Sequence, residues 1–403
     1  MCSLPPSPTD PSFNKSFLMT FKSFTTADEL FDLLVQRFWI QPPLRMNVVE
    51  REEWIRLKQR VIQARVLNIF KAFIVDDDVY KAEIGILHRI KDFIAMEEVA
   101  KFPAAKQLST LIERARHGDS MLKKVAVSQG VPPSPLVPKS SKKLKLLDIE
   151  PLELARQLTI NDSRLYQRIR PSDCLQRIWD QGTVNIDNIT AFTQTSSKIS
   201  LWVVESILEK EDWRRRAGIV EQFISVADHC RTLNNFSSLA AITAGLDALP
   251  IRRLTRTWAQ VSPRFMAQLD VCKMVISSSK GFLNYRKMLK SAIPPCVPWI
   301  GIFLSTLQYI ADGFSDNLPP RKTKEDAGSG FDLVNFKKRQ EASEVIHEIR
   351  RWQAPFNLHV IPSVQAYIED CLNSVSDTPD PAERFEAISL ALEPRQLAEE
   401  KMA

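Results

Sequence analysis

Four places in this 403-residue chain combine side chains that could do chemistry. His229 precedes Cys230, a pairing that would make a thiolate nucleophile on an exposed turn beside an orienting group. Both fall inside a helical run with no legible partner, so a packed helix is the better account. Glu211 and Asp212 are paired carboxylates, but at a helix start the macrodipole favours them without catalysis. His347 and Glu348 sit on a long amphipathic pattern and are equally plain. Ser305, Gln308 and Asp312 recur at helical spacing along "PPCVPWIGIFLSTLQYIADGFSD", among Trp299, Ile300, Ile302, Phe303, Leu304 and Leu307. Asp312 ahead of Gly313 can be a C-terminal cap, but a carboxylate is badly placed at a helix C-terminus, which favours function.

No glycine loop of the G-x-x-x-x-G-K-[ST] or G-x-G-x-x-G kind cradles a phosphate, and no H-E-x-x-H occurs. The five histidines lie far apart, and the six cysteines form no Cys-x-x-Cys pair. Neither a metal site nor a disulfide framework follows, and no cofactor is implied. The sequence argues against covalent chemistry.

The elements that must position these residues are helices. Only 11 glycines occur, the apolar runs repeat at helical period, and 25 prolines cluster in the breaks between them. The expected fold class is all-α. Residues 1–16 are polar and proline-rich and read as disordered. A first helical domain spans 17–116. It includes "TTADELFDLLVQRFW", capped by Thr25 or Thr26, and a longer helix with Trp54, Leu57, Val61, Leu67 and Phe70 or Phe73 as its apolar stripe. Further helices are expected over Val79–Glu97 and Ala104–Arg116. Residues 117–145 change to Gly, Pro, Ser and Lys and read as a flexible basic linker. From 146 to 396 helices follow one another as one large domain, with a tail at 397–403. Within it the pattern gives helices at Pro263–Ser277, Phe282–Lys290, Trp299–Asp312 and Leu333–Trp352, among others.

A net charge of +6 is mild at this length and is dispersed, as in "EKEDWRRR", so nucleic acid is not an expected partner. The N-terminus lacks a secretory signal, and no apolar run reaches membrane-spanning length. The expectation is a reduced, soluble, intracellular protein.

Several blocks together resemble the catalytic domain of Ras-family guanine nucleotide exchange factors, the family of Son of Sevenless. They are "LELARQLTINDSRLYQRIRPSDCL" (152–175), "RTLNNFSSLAAITAGLDALPIRRLTRTW" (231–258), "NYRKMLKSAIPPCVPWIGIFLSTLQYIADG" (284–313), "DLVNFKKRQEASEVIHEIRRWQ" and "LEPR" (392–395). Their order and spacing fit over some 250 residues. "LMTFKSFTTADELFDLLVQRFW" resembles the Ras exchanger motif that precedes such domains.

The resemblance implies a catalyst of dissociation that makes and breaks no covalent bond. A nucleotide held at about 1 pM is bound by about 16 kcal/mol, so the exchanger must offer the nucleotide-free GTPase a comparably strong interface. It assigns the forcing element to a hairpin of two helices, Trp299–Asp312 and Leu333–Trp352. Gln308 and Asp312 fall where members place side chains that intrude on magnesium and the phosphate-binding loop. Ser305 shares their face, and Trp299 packs the hairpin base. Expected GTPase contacts are Arg156, Thr159, Asn234, Asn235, Phe282, Tyr285, Arg286, Lys337, Lys338 and Arg339, although Asn234 and Asn235 serve equally well as helix-start structure. The implied partner is a Ras-family small GTPase, with a second one at an allosteric site in some relatives. Membrane contact would come only through that GTPase, at the inner face of the plasma membrane. The alternative is a non-catalytic Ras-binding scaffold whose wedge has degenerated.

Overall fold

A computed structural model of the chain describes residues 11–75, 84–116, 130–139, 144–179, 187–319, 333–375 and 381–394. The described residues are helical throughout except for one two-stranded ladder and the connecting turns. None of their helices is long and apolar enough to cross a membrane. The hairpin tip beyond residue 319, the "KKLK" start and the 397–403 tail lie outside the described residues. Contacts divide the chain into two compact units.

The first unit comprises residues 1–124, 175–181 and 307–347. Its N-terminal helices are α1 (Pro11–Thr20), α2 (Ala27–Phe38), α3 (Val48–Trp54), α4 (Arg60–Val75), α5 (Ile84–Ala95), α6 (Glu97–Ala100) and α7 (Pro103–Arg116). Helix α1 corrects the expectation of disorder to residue 16, because Phe17 packs against the core and Leu18 is buried in it. Of the two threonines before α2, Thr26 is the cap and accepts from the Glu29 amide at 3.1 Å, while Thr25 Oγ1 donates to Glu29 Oε2 at 2.7 Å. Asn47 and Glu50 close a reciprocal capping box on α3.

Between α3 and α4 the backbone winds a π turn over Ile55–Gln59. The wider turn shifts the phase of the apolar stripe. Val66, Leu67, Phe70, Phe73 and Ile74 are buried, while Leu57 and Val61 are exposed, which corrects the stripe expected from period alone. The core is phenylalanine-rich: Phe31, Phe38 and Phe70 each contact the Phe93 ring, with centroids 5.2–6.3 Å apart.

The second unit comprises residues 125–174, 182–306 and 348–403. It contains α8 (Pro151–Tyr166), α10 (Asn188–Leu208), α11 (Trp213–Thr232), α12 (Phe236–Leu246), α13 (Leu249–Arg252), α14 (Thr255–Trp258), α15 (Pro263–Ile276), α16 (Ser279–Ser291), α19 (Pro362–Ser374) and α20 (Pro381–Leu392). Helices α9 (Pro171–Trp179), α17 (Ile300–Gly313) and α18 (Phe336–Arg351) each have residues in both units. Helix α12 lies so close to α10 that a Cβ on Gly245 would stand 2.7 Å from the Ser200 carbonyl oxygen, which is why glycine is needed there.

The start of α18 corrects the expectation of a helix from Leu333. Leu333 and Val334 form strand β2, paired antiparallel with β1 (Asn317–Leu318) in the register Asn317–Val334 and Leu318–Leu333. Residues 130–139 are tied down locally: Leu136 N donates to Glu153 Oε2 (2.9 Å), and Asn357 Nδ2 donates to the Gly130 carbonyl (2.6 Å).

Glu393 of the "LEPR" block explains that block physically. Its carboxylate accepts from Arg216 Nη2 (2.9 Å), Thr257 Oγ1 (2.8 Å) and the amides of Arg256 and Thr257. Arg216 is 1% exposed and Glu393 5%. Burial pushes this carboxyl up, but the donors outweigh it and hold it below its ordinary range. Glu393→Ala strands a buried guanidinium, so its denaturation midpoint should correspond to a loss of about 3 kcal/mol. A midpoint equal to that of the unaltered chain contradicts this assignment.

Candidate functional site

Helix α17 begins after a proline corner at Pro294–Pro298 and carries two faces. Ile300, Ile302, Phe303, Leu307 and Ile310 are buried. Ser305, Gln308, Tyr309 and Asp312 are exposed, and Tyr309 stands 71% free. The i, i+3, i+4 and i+7 spacing makes them one stripe. Gln308 Nε2 donates to both Asp312 oxygens, at 3.0 and 2.9 Å, which fixes the carboxylate on the last turn. Ser305 Oγ turns inward along the helix and donates to the Gly301 carbonyl at 2.9 Å. Asp312 is therefore held by a side-chain amide one turn earlier and stays exposed.

The far end of α17 and the first turns of α18 meet at Asp316. Its carboxylate accepts from Trp179 Nε1 (2.7 Å) and Lys338 Nζ (3.1 Å). Lys338 Nζ also donates to the Ala311 carbonyl (3.1 Å). Arg339 donates to the Asp316 carbonyl (2.6 Å), the Asn335 carbonyl (3.1 Å) and Ser23 Oγ (3.2 Å), and its guanidinium lies over the Phe24 and Trp179 rings. Burial pushes Asp316 up, but Trp179 and the two cations outweigh it and hold the carboxyl below its ordinary value. Lys338 and Arg339 are 3% and 1% exposed and tie the start of α18 to Ala311 and Asp316 after α17. Lys337 alone of the three faces outward.

In the second unit the expected contacts also divide. Asn234 has φ of 57°, the left-handed conformation asparagine tolerates, and ends α11. Asn235 caps α12 through Oδ1, and its Nδ2 donates to Thr159 Oγ1 (3.1 Å) and Asp162 Oδ2 (3.0 Å). Ser238 Oγ donates to the same Asp162 oxygen at 2.5 Å. Thr159 and Asn235 are 0% exposed, and the Asn235 cap is the helix-start role its position allows. Arg156 is 13% exposed and donates to Glu153 Oε2 (3.0 Å) and the Ser134 carbonyl (3.2 Å).

Tyr285 is buried. Its hydroxyl accepts from the Trp299 amide at 2.9 Å, and its ring stands edge-on to Phe236 and Trp299. Phe282 meets the Trp299 ring edge at 5.3 Å and is half-buried. Its φ of 61°, with Lys280 and Gly281 also positive, puts it outside regular helix, although the apolar pattern predicts a helix from Phe282. Left-handed backbone at two non-glycine residues stores about 1 kcal/mol each. Arg286 is exposed and donates to the Gly281 carbonyl at 3.0 Å, bracing that strained turn.

Sequence reasoning missed Asp162, Asp316 and Trp179. Asp162 has a local signal, since it continues the three-residue spacing of Arg156 and Thr159. The Trp179–Asp316 contact joins residues 137 positions apart, and local patterning carries no trace of it.

Comparison with known families matches residues 153–340 to the RasGEF domain and residues 3–93 to the RasGEF N-terminal motif. The chain is 33% identical to cell division control protein 25 of Candida albicans over 399 residues, covering 96% of this chain and 29% of that protein. It is 30% identical to Ras guanine nucleotide exchange factor A of Dictyostelium discoideum over 382 residues, covering 91% and 58%. The protein son of sevenless of Drosophila melanogaster is 27% identical over 425 residues, covering 96% and 26%. The chain thus spans between a quarter and three fifths of these relatives' lengths.

Asp162 gives the matched domain a titration signature. Burial raises its carboxyl to about 6 against the lowering effect of the Ser238 and Asn235 hydrogen bonds. A raised acid pKa means that folding disfavours the ionised form, so this group's penalty is absent at low pH and complete above pH 6. Lowering pH from 7.5 to 5 should therefore add about 1 kcal/mol of stability through Asp162. The comparison of denaturation midpoints with Asp162→Asn checks it: the substituted chain loses that increment, and equal slopes contradict the assignment.

Proposed function

The chain belongs to the RasGEF family, and from that membership we propose that it is a guanine nucleotide exchange factor for a Ras-family small GTPase. It binds the GTPase, opens the nucleotide site and releases GDP so that GTP can enter. The reaction leaves every covalent bond intact. The working element is the hairpin of α17 and α18.

The observation that carries this reading is the exposed stripe of Ser305, Gln308, Tyr309 and Asp312 on a helix whose other face is buried. A negative charge presented at the phosphate and magnesium positions repels phosphate and competes for the cations that held it. The carboxylate must point the right way before the partner arrives, because ordering it during binding would cost affinity. The Gln308 amide supplies that order. Tyr309 adds aromatic area beside it, the kind of side chain that anchors interfaces. Phe282 and Arg286 offer a second contact, while Lys337 offers charge to an acidic partner surface. The buried residues Thr159, Asn235, Tyr285, Lys338 and Arg339 act by holding these groups in place. Placement in the cytoplasm with recruitment to the inner plasma membrane follows from the partner proposed.

The test is release of a fluorescent GDP analogue from Ras-, Rap- and Rho-type GTPases. Acceleration of at least tenfold on a Ras-type GTPase is expected, a barrier lowering of about 1.4 kcal/mol or more. No acceleration on any of them overturns the proposal. Tight capture of nucleotide-free GTPase without acceleration would select the degenerate scaffold instead.

A further inference from the structure

Helices α8, α10 and α19 of the second unit converge on a cleft of about 430 Å3. Arg164 and Arg168 enter it from the end of α8 and the turn after it, and Lys198 enters from α10. Among the described residues no carboxylate pairs with any of these three cations. Glu369 of α19 lines the same space, which leaves an excess of two positive charges. Leu165, Ile368 and Leu372 give it an apolar floor. No aromatic side chain is among its lining residues.

The walls are fixed. Gln365 of α19 donates to Gln157 of α8 at both the carbonyl (3.1 Å) and Oε1 (2.8 Å). Gln157 in turn donates to the His359 carbonyl at 2.7 Å. Three cations facing one carboxylate leave the cleft net positive, and an anion is attracted to it. Two guanidinium forks and one ammonium suit phosphate oxygens. The volume exceeds what one inorganic phosphate fills and falls in the range of small-ligand sites.

We propose that this cleft binds a phosphorylated polyol, its phosphates on Arg164, Arg168 and Lys198, its hydroxyls on Glu369 and its ring on the Leu165–Ile368 floor. The lone carboxylate is the discriminating feature: it repels a ligand that is anionic all over and accepts from one that also carries hydroxyls. The lack of an aromatic lining disfavours a nucleobase. This site shares no residue with the α17 stripe, and its test needs no GTPase.

The intact chain is titrated calorimetrically with inositol 1,4,5-trisphosphate, and with inorganic phosphate for comparison. Vesicles of phosphatidylcholine with and without phosphatidylinositol 4,5-bisphosphate form the second arm. The trisphosphate should bind more tightly than phosphate. The double substitution Arg164→Ala/Arg168→Ala should weaken it at least roughly tenfold, and Lys198→Ala should weaken it measurably. Lys287→Ala/Lys290→Ala, which removes the same charge from the exposed part of α16, should leave it unchanged. Trisphosphate that displaces the chain from vesicles identifies a lipid headgroup as the source; trisphosphate binding without vesicle binding identifies a soluble one. Either supports the site. Binding weaker than about 1 mM, equal loss in the Lys287/Lys290 control, vesicle binding that trisphosphate does not compete, or equal affinity for a polyglutamate peptide each overturns it.

Discussion

Asp316 is the point on which the hairpin depends. Its single carboxylate takes hydrogen bonds from an indole and an ammonium while its own carbonyl takes one from a guanidinium. Two buried cations and one half-exposed acid leave a surplus positive charge, spread over the Phe24 and Trp179 rings and the carbonyls of Ala311 and Asn335. Removing a charge from water costs several kcal/mol unless its donors are satisfied. Here the backbone of one arm supplies acceptors for cations of the other, so neither arm can shift without stranding a charge. That constraint gives α17 a fixed direction, and the Gln308–Asp312 bonds extend it to the last turn.

A second buried carboxylate organises the core of the other unit. Asp162 accepts from Asn235 and Ser238, and Asn235 also bonds Thr159 and caps α12. Asn235 further pairs with Val297 in an isolated bridge next to the proline corner, a bond ladder in which Phe236 N donates to the Val297 carbonyl at 2.8 Å. The corner that launches α17 is thus tied to a network joining α8 and α12. Phe236, Tyr285, Trp299 and Phe282 then form a chain of edge contacts from the buried centre toward the surface. The strained turn at Lys280–Phe282 sits at the outer end of that chain.

Much of this was legible in the sequence, and the failures have physical causes. The α15 helix, the α17 helix and its polar stripe follow from period and proline placement. Leu57 and Val61 were misread because a π turn changes the phase of a stripe without changing its composition. Leu333–Val334 were misread because two residues of strand pairing override a weak helical pattern. Thr159, Asn235, Tyr285, Lys338 and Arg339 lie in the resembling blocks yet are buried, and motif resemblance marks such positions without saying whether they touch or support. Burial of a lysine or arginine depends on partners far away in sequence. The Gln308–Asp312 pair was visible as spacing, but the double hydrogen bond that orients the acid was not.

The account stands on Asp312 acting during opening of the nucleotide site rather than during capture of the partner. The most direct measurement compares Asp312→Ala and Asp312→Asn with the unaltered chain in two readouts: GDP release under saturating exchanger, and affinity for nucleotide-free GTPase. The account predicts release slowed by roughly tenfold or more in both, with affinity changed by less than about threefold. Release at the original rate, or a loss of release matched by an equal loss of affinity, would contradict it.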